Sequence, residues 1–86
     1  MENIKKIFEQ YSEDVKKITN KPSDSDLLIL YGLYKQATIG DCNTDRPGFL
    51  DFKGKSKWDS WNNYKGKNKE EAMKLYIEKA KELIEK

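Results

Sequence analysis

DCNTDRPGFLDF, residues 41 to 52, carries a Pro-Gly pair and no helical spacing of apolar residues, so it reads as a long ordered loop. Its length decides the topology. A short connection forces neighbouring helices antiparallel, whereas about a dozen residues can run back along a bundle and let two successive helices point the same way. The helices on either side of this loop are therefore expected to lie parallel.

Working outward, periodicity predicts four helices and no strand. Ile4, Ile7, Phe8, Tyr11, Val15 and Ile18 share one face of a first helix that Thr19-Asn20-Lys21-Pro22 stops. Ser23 with Asp26 has the form of a capping box, and Leu27, Leu28, Leu30, Tyr31 and Tyr34 carry a second helix towards Gly40. After the loop, a third helix is expected over residues 53 to 63, ending at Gly66, with Trp58 and Trp61 as its core-facing ridge. Asn68 with Glu71 starts a fourth, whose Ala72, Met73, Tyr76, Ile77, Ala80, Leu83 and Ile84 form one apolar face. The chain is expected to be all-α, a four-helix bundle in a single domain spanning residues 1–86.

Composition excludes several function classes. Only 36% of the residues are hydrophobic and 37% are charged, and no apolar run approaches the roughly 20 residues that span a bilayer. MENIKKIFEQ has no signal-peptide pattern, so a cytoplasmic protein without stable membrane insertion is expected. Histidine is absent and Cys42 is the one cysteine, which removes the commonest general base, the usual nucleophile pairs and most zinc sites. Asp41, Asn43 and Asp45 imitate the start of a calcium-binding loop, but Arg46 stands where glycine is needed and Phe52 where the bidentate glutamate is needed. Neither GxxxxGK[ST] nor GxGxxG occurs, so anion binding would have to use side chains. No enzyme, metal or cofactor is expected.

The charge distribution is more informative than the net charge of +2. From Lys53 to Lys69 there are six lysines against Asp59, leaving eleven basic and fourteen acidic residues elsewhere. A solvated lysine face is the ordinary reading, and Lys55, Lys65, Lys67 and Lys69 are assigned to it. Tyr31, Tyr34 and Lys35, however, lie three and four apart on a helix, where leucine would be more usual. Rings for stacking and ammonium groups for charge-assisted bonds suit a nucleotide or phosphate. The alternative is a small basic helical nucleic-acid-binding module, which would bind with steep salt dependence.

The run YGLYKQATIGDCNTDRPGFLDFKGKSKWDSWNNYKGKNKEEAMKLYI closely resembles the acyl-CoA-binding protein family, in its Y-x-x-Y-K-Q-A-T-x-G-D helix end, R-P-G loop and K-x-K-W-x-x-W helix. Phe8, Val15, Lys16 and Lys21-Pro22 extend the likeness over nearly the whole chain. The resemblance implies an up-down-down-up bundle that binds medium- to long-chain fatty acyl-CoA esters without catalysis. Such a protein would act as a monomeric pool former and carrier in transient contact with acyl-CoA-using enzymes. By the family's pattern Tyr31, Lys35 and Lys57 would surround the 3′-phosphate, Tyr34 would pack on the adenine, and Tyr76 would close the nucleotide site. Lys16 and Lys53 would lie at its margins, with Phe8, Leu27 and Leu28 along the acyl groove.

The chain departs from the family at Ser12, where alanine is common, next to the bulky Tyr11, and both are expected near the ligand. Gly32, inside the second helix, costs that helix about 1 kcal/mol relative to alanine, and the sequence offers no reason for it.

Overall fold

In the computed structural model of the protein, residues 2–85 are described, apart from the side chain of Glu2. They form α1 (Glu2–Asp14), a 3-10 turn (Val15–Lys17), α2 (Asp24–Thr38), α3 (Phe52–Asn62) and α4 (Lys69–Ile84), and no strand occurs among them. Acceptor side chains open three of the helices. Ser23 accepts the Asp26 N–H at 3.1 Å, Asp51 accepts the Gly54 N–H at 2.9 Å, and Asn68 accepts the Glu71 N–H at 2.8 Å. Each satisfies a backbone donor that a helix start leaves free. Gly40 after α2 (φ 105°) and Gly66 before α4 (φ 96°) take left-handed conformations that residues with a Cβ rarely adopt.

α1 ends earlier than its apolar stripe. The α-helix closes at Asp14, tightens into the 3-10 turn and breaks at Ile18, which is extended (φ −69°, ψ 139°). Val15 and Ile18 nevertheless pack against the core, because a tighter turn followed by an extended residue still points both inward.

The helices run up, down, down and up. α2 and α4 are antiparallel: Asp26 pairs with Lys79 at 2.8 Å near one end, and the Gln36 amide donates to the Lys67 carbonyl at 2.8 Å near the other. α2 and α3 are parallel, as the loop length requires. Lys53 and Ser56 face Asp24 and Leu28, Ser60 abuts Gly32, and Trp61 reaches Lys35 and Gly40.

The core lies between α1, α2 and α4, around Phe8, Leu33, Ala37, Ala72, Tyr76 and Ala80. α3 contributes nothing to that cluster, which corrects the expectation of a core-facing tryptophan ridge. Trp58 is half-buried and its indole N–H donates to the Thr44 carbonyl at 2.8 Å. Trp61 is buried, and its N–H donates to the Gly40 carbonyl at 2.7 Å. An indole nitrogen removed from water needs a partner, and the loop carbonyls supply it. The two rings clamp the long loop onto α3, and the Arg46 guanidinium adds a bidentate pair with Asp59 at 2.9 Å.

Gly32 finds its reason here. A Cβ at this position would lie 2.5 Å from both the carbonyl oxygen and the hydroxyl of Ser60. Only a bare backbone lets α3 come this close, and the Ser60 hydroxyl uses the approach to donate to the Leu28 carbonyl.

Candidate functional site

Two adjoining clefts share Leu27 and Tyr31. The first, about 470 Å³ between α2 and α3, is walled by Leu27, Leu28, Tyr31 and Ser56, with Lys21, Asp24, Lys53 and Lys57 around it. The second, about 360 Å³, is walled by Ser12, Val15, Leu27, Leu30 and Tyr31, with Lys16, Tyr34 and Tyr76 at its polar side. A larger recess of about 750 Å³ lies between α1 and α4, but Lys81 is its only cationic side chain beside Ile4, Ile7, Tyr11 and Ile77. Chemistry rather than volume therefore selects the adjoining pair.

Helix spacing explains how the lysines and rings meet. Tyr31 and Lys35 are one turn apart on α2, and Lys57 and Trp61 are one turn apart on the parallel α3. The pairs cross. Lys57 Nζ lies 5.5 Å from the Tyr31 ring centroid, and Lys35 Nζ lies 4.8 Å from the Trp61 ring. Lys35 thus borders the cleft through its neighbours rather than lining it.

Tyr34 is 43% exposed, with its ring stacked on Phe8 at 5.6 Å and 28°. Tyr76 meets Phe8 edge-on at 5.0 Å and Tyr34 at 6.1 Å. Phe8 itself is buried beneath Tyr34 and lines neither cleft, so the structure sets it behind a ring rather than along the groove. Burial, and secondarily the Tyr34 hydroxyl, push the Tyr76 phenol up to about 12, so it remains a proton donor at neutral pH. That hydroxyl has no hydrogen-bond partner among the described residues and faces the second cleft.

Of the ten candidate residues, Lys16, Leu27, Leu28, Tyr31, Tyr34, Lys53, Lys57 and Tyr76 line one cleft or both. Lys16 and Lys53 are exposed at the rims, Lys16 within 3.9 Å of Glu13. The two departures separate: Ser12 lines the second cleft, its hydroxyl donating to the Glu9 carbonyl at 2.7 Å, whereas Tyr11 turns into the α1/α4 recess. Tyr11 is thus not beside the clefts, a correction that follows from the 100° step between successive helical residues.

Sequence reasoning passed over Gln36 and Asp41. Gln36 is fully buried, and its amide donates to Asp41 at 2.9 Å as well as to the Lys67 carbonyl. The same Asp41 oxygen accepts the Gly66 N–H at 2.9 Å, and that bond, with the Gln36 bond second, holds the carboxyl below the usual range. The Q-A-T-x-G-D run contained both residues. A buried glutamine next to a glycine-terminated helix was the available signal.

An all-α bundle with neighbouring clefts that combine exposed rings, ammonium groups and aliphatic walls defines a binding protein for a ligand with an anionic aromatic head and an apolar tail. The model of the acyl CoA binding protein family matches residues 5–80. A relative from the genus Hypsibius is 57% identical over 84 residues, covering 98% of this chain and 94% of its own. The Brassica napus acyl-CoA-binding protein is 54% identical over 82 residues, 95% of this chain and 89% of its own. The crystal structure of Oryza sativa acyl-CoA-binding protein 2 superposes with a TM-score of 0.93 at 47% identity, over 96% of this chain and 90% of that one. The chain belongs to the acyl-CoA-binding protein family.

Proposed function

We propose that this chain binds medium- to long-chain fatty acyl-CoA esters without transforming them, as a monomeric single-domain carrier in the cytoplasm that hands them to acyl-CoA-using enzymes. One observation carries the reading: Leu27 and Tyr31 are common to both clefts, so a ring-and-lysine site and an aliphatic groove are continuous. The head would supply identity and the tail affinity, at about 0.8 kcal/mol for each buried methylene.

In this reading Tyr34 offers adenine a flat face held by Phe8 from behind, and the Tyr76 hydroxyl donates at its edge. Tyr31 and Lys57 meet the 3′-phosphate, with Lys16 and Lys53 at the margins. Lys35 joins them by leaving the Trp61 ring. A cation over a ring at a partly exposed site is worth about 0.5 to 1 kcal/mol, and a charge-assisted bond to phosphate about 1.5 to 3, so the exchange favours the ligand. Leu27 and Leu28 wall the acyl groove. The lysines at 65, 67 and 69 remain solvated charge: Lys67 is spanned by Glu71 at 3.8 Å, and no feature of the clefts or of the relatives favours a nucleic acid.

Calorimetry tests the assignment. Palmitoyl-CoA should bind far more tightly than palmitate or free coenzyme A, since each lacks half of the recognised surface, and RNA should not compete. Equal affinity for palmitate and its CoA ester would overturn the reading.

A further inference from the structure

Three large apolar side chains are among the least buried in the fold: Phe49 is 76% exposed, Leu50 75% and Phe52 71%. They fall within four consecutive positions where the long loop enters α3, at a turn closed by the Asp51 N–H donating to the Gly48 carbonyl at 3.0 Å. The ligand reading does not use them, since none lines either cleft. An isolated exposed apolar residue is ordinary, whereas a contiguous set of this kind marks a contact surface.

The surroundings of this tip are cationic. Lys55 holds its Nζ 5.0 Å from the Phe52 ring. Lys53, next to Phe52 in the chain, lies at the α2/α3 cleft together with Lys21 and Lys57. The one carboxylate within the tip, Asp51, is turned back onto the Gly54 N–H at 2.9 Å.

Size narrows the choice of occupant. The three side chains present about 450 Å², well below the roughly 800 Å² that each partner contributes to a specific protein interface. Two phenyl rings and an isobutyl group collared by ammonium groups instead suit the boundary of a bilayer. There the apolar groups reach the acyl region while lysines meet headgroup anions.

We propose that Phe49, Leu50 and Phe52, with Lys55 beside them, form a reversible docking tip for an anionic lipid bilayer surface, which sets the α2/α3 cleft against the lipid. This goes beyond ligand binding and is read on the unliganded protein, so it stands or falls independently of the acyl-CoA assignment.

The test is co-sedimentation of the full chain with phosphatidylcholine vesicles, with and without phosphatidylserine. The chain should partition onto the phosphatidylserine vesicles, less at high salt, and weakly onto phosphatidylcholine alone. Changing Phe49, Leu50 and Phe52 together to Ser should lower partitioning at least about tenfold. Lys55→Glu should reduce it on phosphatidylserine vesicles only. Circular dichroism should show both variants folded, and Leu50→Ser alone, with a smaller loss, covers the case in which the triple variant is not. Palmitoyl-CoA affinity measured without vesicles should stay unchanged in the triple variant. Three results would overturn the proposal: no partitioning of the native chain, partitioning that the apolar substitutions leave intact, or self-association in solution that those substitutions abolish.

Discussion

Lys57 on α3 stands with its Nζ 5.5 Å from the centroid of Tyr31 on α2. The contact exists because α2 and α3 are parallel and Gly32 lets them approach: each helix then offers one ring and one ammonium, a turn apart, to the other. An ammonium parked over a ring is kept near the cleft while its N–H donors stay available to an anion.

Lys35→Ala and Lys57→Ala are expected to weaken acyl-CoA binding by roughly one to two orders of magnitude, the loss of one charge-assisted bond each. Dephospho-acyl-CoA lacks the 3′-phosphate and should lose far less. Lys74→Ala on exposed α4 surface serves as control. Titrating both ligands against each variant at fixed ionic strength checks this, and equal losses for the two ligands would reduce the lysines to a diffuse positive field.

Gly32→Ala should destabilise the fold by about 1 to 3 kcal/mol, the usual range for overpacking, even though alanine is the better helix former. Ser60→Ala should not rescue it, because the Ser60 carbonyl oxygen is as close to the new Cβ as the hydroxyl is, at 2.5 Å. Urea unfolding of the single and double variants measures both effects. A stabilised Gly32→Ala would mean that the helices can part without cost.

How much of this could be read from the chain depended on what periodicity encodes. Caps at Ser23 and Asn68 and the glycine stops were legible because they are local. The parallel α2/α3 pair was legible from loop length. Periodicity assigns a residue to a face, however, and does not say what the face meets. Trp58 and Trp61 share a face that meets a loop rather than the core, and Tyr11 and Ser12, adjacent in sequence, open onto different clefts. Lys35 was assigned to an anion, but its resting position over Trp61 depends on a neighbouring helix. Gly32 has meaning only once Ser60 stands against it.

Asp41 predicts an acid-sensitive joint. Its folded pKa is lowered, by the Gly66 N–H first and Gln36 second, from an ordinary value of 3.8. The ionised carboxylate therefore contributes stability above the unfolded pKa, and that contribution disappears as pH falls through the lowered folded value. Asp41→Asn should lower stability at neutral pH and flatten the acid limb of the profile. Gln36→Ala should cost more at every pH, about 2 to 4 kcal/mol, since it leaves a cavity and an unpartnered Lys67 carbonyl. Denaturation midpoints across the acid range separate the two.

Tyr76 predicts the opposite limb. Its pKa is raised from 10.0 to about 12 by burial and then by Tyr34, so the folded state holds the proton that the unfolded state releases first. Its contribution is complete below the unfolded pKa and is lost as pH climbs from 10.0 towards about 12. Lys79, raised by its bond to Asp26, acts in the same direction. Tyr76→Phe should therefore flatten, without abolishing, the alkaline fall in stability, and should weaken acyl-CoA binding at neutral pH through the lost donor. An unaltered alkaline limb with unaltered binding would return Tyr76 to ordinary packing.

Leu27 tests whether the tail shares the site with the head. It is 38% exposed and belongs to both clefts, an apolar group left in water where a ligand would cover it. Because it is already partly exposed, Leu27→Ala should cost the fold less than about 1 kcal/mol. Across a series of acyl-CoA esters, affinity should rise up to about fourfold per methylene and then level off when the groove is full. In Leu27→Ala the short esters should bind as before, while esters long enough to reach position 27 should lose roughly fivefold to thirtyfold. The variant's signature is therefore a shallower slope against chain length, not a uniform drop. A uniform drop would place Leu27 under the nucleotide, and an unchanged slope would mean that the tail runs elsewhere.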